Sequence, residues 1–286
     1  MPACRLAVVA ATTLLIGGTA FAQGNTEFQP LQEWQRAVLS ESSTKLAGVY
    51  SFDPPARIMT PAGQESGAST DVQFWQDQSK HRLSDLVIQL GDTTALQPGV
   101  MKVTFESELH FAAGGLEYLQ CAQVWQQQEE GWRIVLSARG NLARLPQPLK
   151  LDPGLYPESA DAKQEIAEVL AHASTAKKRV LLVFGANWCY DCDVLDAAFK
   201  HPSIEPLIRN NFEVVHVDIG KADKNLDVCA KYEIPLEKGI PALAVLDANG
   251  KLLYSQRGGE FEHARGMEPE DIISFLKRWA PRKKAA

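Results

Sequence analysis

Val180-Leu181-Leu182-Val183-Phe184-Gly185-Ala186-Asn187-Trp188-Cys189-Tyr190-Asp191-Cys192 is the stretch on which the fold turns. Its five leading apolar residues read as a strand buried on both faces, and Gly185-Ala186-Asn187 as a bend. Beyond Cys192, residues Val194, Leu195, Ala198 and Phe199 recur at helical spacing, which predicts a helix over Cys189–Lys200. A strand that turns straight into a helix leaves Cys189 at the helix N-terminus. The unpaired backbone N–H groups and the positive end of the helix dipole stabilise a thiolate there. Cys192 lies one turn on, placed to capture a mixed disulfide formed at Cys189. The competing reading is a static structural disulfide.

Around this motif the pattern is one of alternating helices and strands. Ala162–Ser174 is amphipathic, Phe212–Asp218 is a second buried strand, and Asn225–Tyr232 is a short helix. Ala242–Leu246 and Leu252–Ser255 form a hairpin around Asp247-Ala248-Asn249-Gly250, and Pro269–Trp279 closes the pattern as a helix. Upstream, residues 146–157 are rich in Pro and Gly and read as a linker. The region before it, 23–145, has helical spacing at Leu31, Trp34, Val38 and Leu39 and a short helix near Val72–Trp75. Alternating strands follow at Val100–Phe105, Tyr118–Trp125 and Trp132–Ser137, with turns at Gly114-Gly115 and Glu130-Gly131. The expected fold class is therefore two domains, α+β followed by α/β over 158–286.

Residues 1–22 read as a cleavable secretory signal: Arg5, an apolar core over Leu6–Ile16, and a small-x-small site at Ala20-Phe21-Ala22. Export to a periplasm or secretion follows as an expectation, and there a paired cysteine is a structural or catalytic disulfide. Cys121 and Cys229 read as small buried hydrophobes, with a bridge between them as the alternative. Neither they nor the histidines show metal-ligand spacing, so no metal and no cofactor beyond the Cys189–Cys192 pair is expected. The net charge is −6 and both halves carry an acidic excess, which excludes a basic nucleic-acid-binding surface.

Trp188-Cys189-x-x-Cys192, the strand ending in Asp218, and Gly239-Ile240-Pro241-Ala242, in that order, resemble the thioredoxin superfamily over residues 158–281. The run Phe199-x-His201-Pro202 with Phe212-x-Val214-Val215-x-Val217-Asp218 is more similar to its periplasmic disulfide-reductase branch. The resemblance implies that Cys189 attacks, Cys192 resolves, Trp188 shields the thiol, and a cis Ile240–Pro241 peptide offers backbone groups to disulfide-containing protein substrates. It also implies a membrane-borne electron donor. Tyr190 and Asp191 stand as modulators: Asp191 and Asp193 oppose a nearby thiolate and so favour a reductant over an oxidant. One departure is Val183, where thioredoxins bury an acidic residue that serves the resolving cysteine.

In the first domain Tyr50, Asp53, Pro61, Gly63, Gly67, Phe74-Trp75, Val124-Trp125 and Gly131-Trp132-Arg133-Ile134 resemble the nuclear-transport-factor-2-like (SnoaL-like) cone. That resemblance implies a pocket, here lined by Tyr50, Asp53, Trp75 and Trp125, and a role in ligand binding or dimerisation. Two other functions stay open from the residues alone. One is a redox-idle binding or scaffold protein. The other is a small-molecule enzyme in the first domain, regulated by the second.

Overall fold

A computed structural model describes residues 28–282, so the signal expected over residues 1–22 lies outside the described residues. The apolar spacing near the start produces α1 (Gln29–Leu39), which buries Leu31, Trp34, Ala37 and Val38. Then come α2 (Ser43–Ala47), β1 (Arg57–Met59), β2 (Glu65–Gly67), α3 (Ala68–Lys80), β3 (Leu83–Gln97), β4 (Val100–Phe111), β5 (Gly115–Gln128) and β6 (Gly131–Arg139). They form one six-stranded sheet in the order β2-β1-β6-β5-β4-β3, antiparallel except where β1 joins β6 in parallel. The helices pack on one face: Trp34 meets Trp75 and Phe105 edge-to-face at centroid distances of 5.1 and 5.3 Å. This is the expected α+β architecture. The 15-residue strand β3 was not legible in the sequence, because its register against β4 shifts three times and breaks the alternation of apolar and polar residues.

The expected pocket of the first domain is corrected here. Tyr50, Trp75 and Trp125 are core residues, 4%, 1% and 1% exposed, whereas Asp53 sits on an exposed turn. Tyr50 instead donates its hydroxyl to Asp71, at 3.0 Å. Asp71, 1% exposed, also accepts from Ser137 Oγ at 2.8 Å and from Arg139 Nε at 3.1 Å. The aromatic rings fill the interior and this saturated carboxylate ties α3 to β6 across it.

The second domain runs α4 (Ala162–Ala176), β7 (Arg179–Gly185), α5 (Tyr190–Phe199), α6 (Glu205–Asn211), β8 (Phe212–Asp218), α7 (Leu226–Lys231), β9 (Ala242–Leu246), β10 (Leu252–Ser255) and α8 (Pro269–Trp279). Its sheet order is β10-β9-β7-β8, with β7 parallel to β8 and antiparallel to β9. Val180, Leu182 and Phe184 pack with Ile166 and Ala173 of α4, while Leu181 and Val183 pack with Val194 and Leu195 of α5 and Ile272 and Leu276 of α8. A central strand covered on both faces has to be apolar throughout, which explains the unbroken run over 180–184.

Residues 146–157 are no free spacer. Leu145, just before them, and Tyr156 within them are both wholly buried against the second domain. The face of the first sheet opposite its helices rests on that domain. Gln120 Nε2 of β5 lies within hydrogen-bond distance of the carbonyls of Gln147 and Pro148 and of Tyr190 Oη, at 2.9, 3.2 and 3.1 Å. Glu106, opposite Gln120 on β4, accepts the Gln147 backbone N–H at 2.6 Å. Burial is the main cause that pushes the Glu106 carboxyl up to about 7, against the opposing pull of that N–H.

Two outcomes are expected. Asp71→Ala would leave the partly buried Arg139 without its anion and should destabilise the first domain by about 3 kcal/mol in denaturant unfolding, with Tyr50→Phe far milder. Folded Glu106 keeps its proton to about pH 7, whereas the unfolded carboxyl releases it near 4.5, so its contribution is lost as pH rises through that window. Glu106→Gln should flatten that decline and raise stability at pH 8 by on the order of 2 kcal/mol, read from urea midpoints at a series of pH values.

Candidate active site

Cys189 and Cys192 are joined as a disulfide, with Cα atoms 5.3 Å apart. Cys189 caps α5, and its Sγ accepts the Cys192 backbone N–H at 3.2 Å. The pair therefore sits at the positive end of the helix, as the spacing predicts. Exposure is the difference: Cys189, read as the more accessible thiol, is only 5% exposed, and Cys192 is wholly buried. The cover comes from the loop before β9, where the cis peptide Ile240–Pro241 brings the Ile240 carbonyl within 3.7 Å of Cys189 Sγ. Beside it, Trp188 is 57% exposed, yet its indole N–H is anchored on the Gly220 carbonyl at 2.8 Å. Trp188, Cys189, Ile240 and Pro241 are thus brought together as the sequence predicts.

The two residues between the cysteines are both tethered. Tyr190 Oη lies 3.1 Å from Gln120 Nε2 and 3.4 Å from Gln147 Oε1, so the first domain and the linker hold it. The Arg265 guanidinium covers its ring at 4.8 Å. The same Arg265 pairs with Asp191: Oδ1 accepts its backbone N–H at 2.9 Å, and Oδ2 accepts from Nη2 at 2.5 Å. These contacts outweigh desolvation and hold the Asp191 carboxyl below its ordinary range. The expectation that Asp191 opposes a thiolate is therefore corrected, because a guanidinium compensates its charge at contact distance. Asp193, adjacent to Cys192, differs in having no ion-pair partner among the described residues. Burial above all pushes its carboxyl up, although Oδ1 accepts the Asp152 N–H at 2.7 Å.

Beneath the disulfide lies a residue that the sequence does not single out. Tyr156 belongs to the Pro- and Gly-rich linker, yet it packs with Cys189, Cys192 and Ile240. Asn187 of the motif turn clasps its backbone, accepting its N–H at 2.8 Å and donating to its carbonyl at 2.9 Å. Gly185 leaves room for it: a Cβ there would fall 2.3 Å from Tyr156 Oη and 2.8 Å from Cys192 Sγ. Only the Asn and the Gly between strand and cysteines hint at this in sequence, and both read equally well as a bend.

Cys121 and Cys229 are free and buried in different domains, which excludes a bridge between them in this structure. Burial raises both thiols, Cys229 to about 11, so neither has thiolate character at neutral pH. Gly185→Ala should overpack this floor and cost about 1–3 kcal/mol of stability. It should also expose the linker, read as faster proteolysis between residues 146 and 157.

No curated protein matches the chain. Residues 161–248 match the model of a family described as thioredoxin-like. A disulphide isomerase from Xylella fastidiosa Temecula1 is 39% identical, over 46% of this chain and 98% of its own, with a TM-score of 0.42. An NTF-2 like protein of unknown function from Shewanella oneidensis MR-1 is 12% identical, over 40% of this chain and 94% of its own, with a TM-score of 0.35. A ketosteroid isomerase-like protein from Erwinia carotovora atroseptica SCRI1043 is 12% identical, over 39% of this chain and 90% of its own, with a TM-score of 0.33. Both lie over the first domain, an α+β unit whose six-stranded sheet carries its helices on one face. Together with the disulfide-capped helix and the sheet it opens from, the family match and the identity to the Xylella protein establish that this chain belongs, through its C-terminal domain, to the thioredoxin-like family.

Proposed function

We propose that the protein is an exported thiol–disulfide oxidoreductase that reduces disulfides in other proteins. The observation that carries this is the Cys189–Cys192 disulfide at the N-terminus of α5, flanked by exposed Trp188 and the Ile240 carbonyl. In the reduced protein, the Cys189 thiolate attacks a substrate disulfide and one substrate sulfur departs, taking a proton from water. Cys192 then gives up its proton to water and attacks Cys189 Sγ, breaking the bond from Cys189 to the substrate. The second substrate thiol leaves, and two electrons have passed from the protein dithiol to the substrate. A dithiol donor, membrane-borne by resemblance to the reductase branch, returns them. The cis-proline loop is suited to pairing with an extended substrate segment beside the sulfur.

The reducing direction rests on Asp193, beside Cys192, instead of on Asp191. Asp196 is paired with Lys200 and His216 and Asp218 with Lys224, so of these carboxylates Asp193 alone has no ion-pair partner among the described residues. An unpaired carboxylate there disfavours a thiolate and so favours the disulfide, which makes the dithiol a better reductant. The similarity to a protein named a disulphide isomerase is compatible with the same opening attack. The first domain, with its interior filled, fits a support that holds Tyr190 through Gln120 better than it fits a small-molecule enzyme.

Alkylation-trapped titration in dithiothreitol and glutathione buffers tests this. The expected midpoint lies below about −260 mV, the lower edge of the biochemically extracted glutathione poise. The Cys192→Ser variant should accumulate mixed disulfides that Cys189→Ser does not form. A midpoint near about −120 mV would overturn the direction. A pair that resists dithiothreitol would make the disulfide structural and overturn the activity itself.

A further inference from the structure

Tyr156 is wholly buried, and its hydroxyl is among the buried polar atoms that find no hydrogen-bond partner among the described residues. Such a group is expensive to leave unsatisfied, and where it persists a second state of the molecule can supply the partner. Its position is no accident of a loose loop. The Asn187 side chain fixes the backbone on both sides, and the ring meets His216 edge-to-face at a centroid distance of 5.3 Å. The space a Cβ of Gly185 would take lies 2.3 Å from the hydroxyl and 2.8 Å from Cys192 Sγ, so those two atoms are at most 5.1 Å apart. Burial first, and then Asp196, Asp193 and Asp218, keep the phenol protonated well above its ordinary range, so it can donate and does not serve as a base.

In the oxidised protein the Cys192 sulfur is bonded to Cys189 and is a poor acceptor. Reduction adds two electrons and two protons, breaks that bond and frees Cys192 Sγ to turn about its Cα–Cβ bond. We propose that Tyr156 is a hydrogen-bond donor to Cys192 that engages only when the pair is reduced, stabilising the dithiol state and the thiolate that makes the resolving attack. The proposal rests on the thiol–disulfide reading above. During resolution the Cys192 thiolate forms the bond to Cys189 Sγ and the Cys189–substrate bond breaks. The substrate sulfur leaves with the electron pair and takes a proton from water, while Tyr156 keeps its own. The phenol thereby serves the resolving cysteine from the linker, across the space that Gly185 of β7 leaves open.

The test compares the full chain with its Tyr156→Phe variant in glutathione redox buffers at pH 7. Loss of the donor should move the equilibrium about tenfold toward the disulfide, a midpoint about 30 mV more negative. It should also lengthen the life of the mixed disulfide with a small aromatic disulfide probe by about tenfold in single turnover. A merely structural ring would move neither, and would shift the unfolding temperatures of oxidised and reduced protein together. An unchanged equilibrium and resolution rate, within twofold, would overturn the inference while leaving the oxidoreductase reading intact. If wild-type protein fails to exchange with dithiothreitol, the parent reading is what fails. Should Tyr156→Phe not fold, a ring-fluorinated tyrosine at 156, a stronger donor, should move the equilibrium the opposite way, and no shift there would overturn the proposal.

Discussion

The double-sided burial of β7 is the constraint from which the rest of the second domain hangs. Alternate residues of this strand fill two separate cores, so its position and direction are fixed by packing on both faces. The chain must then leave the sheet at Gly185 and enter α5 within four residues, and that short exit is what puts Cys189 on the helix N-terminus. The same exit creates the hollow under the disulfide. Gly185 has no side chain, Asn187 has hydrogen-bonding groups to spare, and Tyr156 occupies the space they leave.

Several separate elements converge on the motif, and their combined effect is electrostatic as well as steric. Arg265, just before α8, compensates Asp191 and covers the ring of Tyr190. Gln120 from the first sheet and Gln147 from the linker take the Tyr190 hydroxyl. Carboxylates lie on the Cys192 side, where burial and hydrogen bonds divide them into compensated and uncompensated groups. A CxxC pair is tuned by what surrounds it more than by the residues between the cysteines, and here those residues are largely neutralised by their tethers.

The domain seam is polar and load is shared across it. Glu106 takes a linker N–H in a site dry enough to hold its proton to near neutrality, and Arg144 bridges Glu117 of the first domain to Glu268 of the second. The first domain is thus in a position to hold the second, and its interior is occupied by Trp34, Trp75 and Trp125. The linker that joins them is ordered because Leu145 and Tyr156 are buried at its two ends, although its Pro and Gly content alone describes an irregular chain.

The sequence by itself determined the CxxC helix, the apolar strand before it, the hairpin after Pro241 and the two-domain order, because each is written in local spacing: period two, period 3.6, or a turn residue at a fixed offset. It also pointed to Trp188, Ile240 and Pro241, which the fold brings beside Cys189. Only the tertiary structure decided that Cys189 is covered, that Asp191 is paired with a residue 74 positions away, and that Tyr50, Trp75 and Trp125 are core while Asp53 faces solvent. It alone decided that a linker tyrosine lies beneath the disulfide. The physical reason is common to all of these: charge compensation, burial and the partners of a hydroxyl depend on which distant segments meet, and no local periodicity records that.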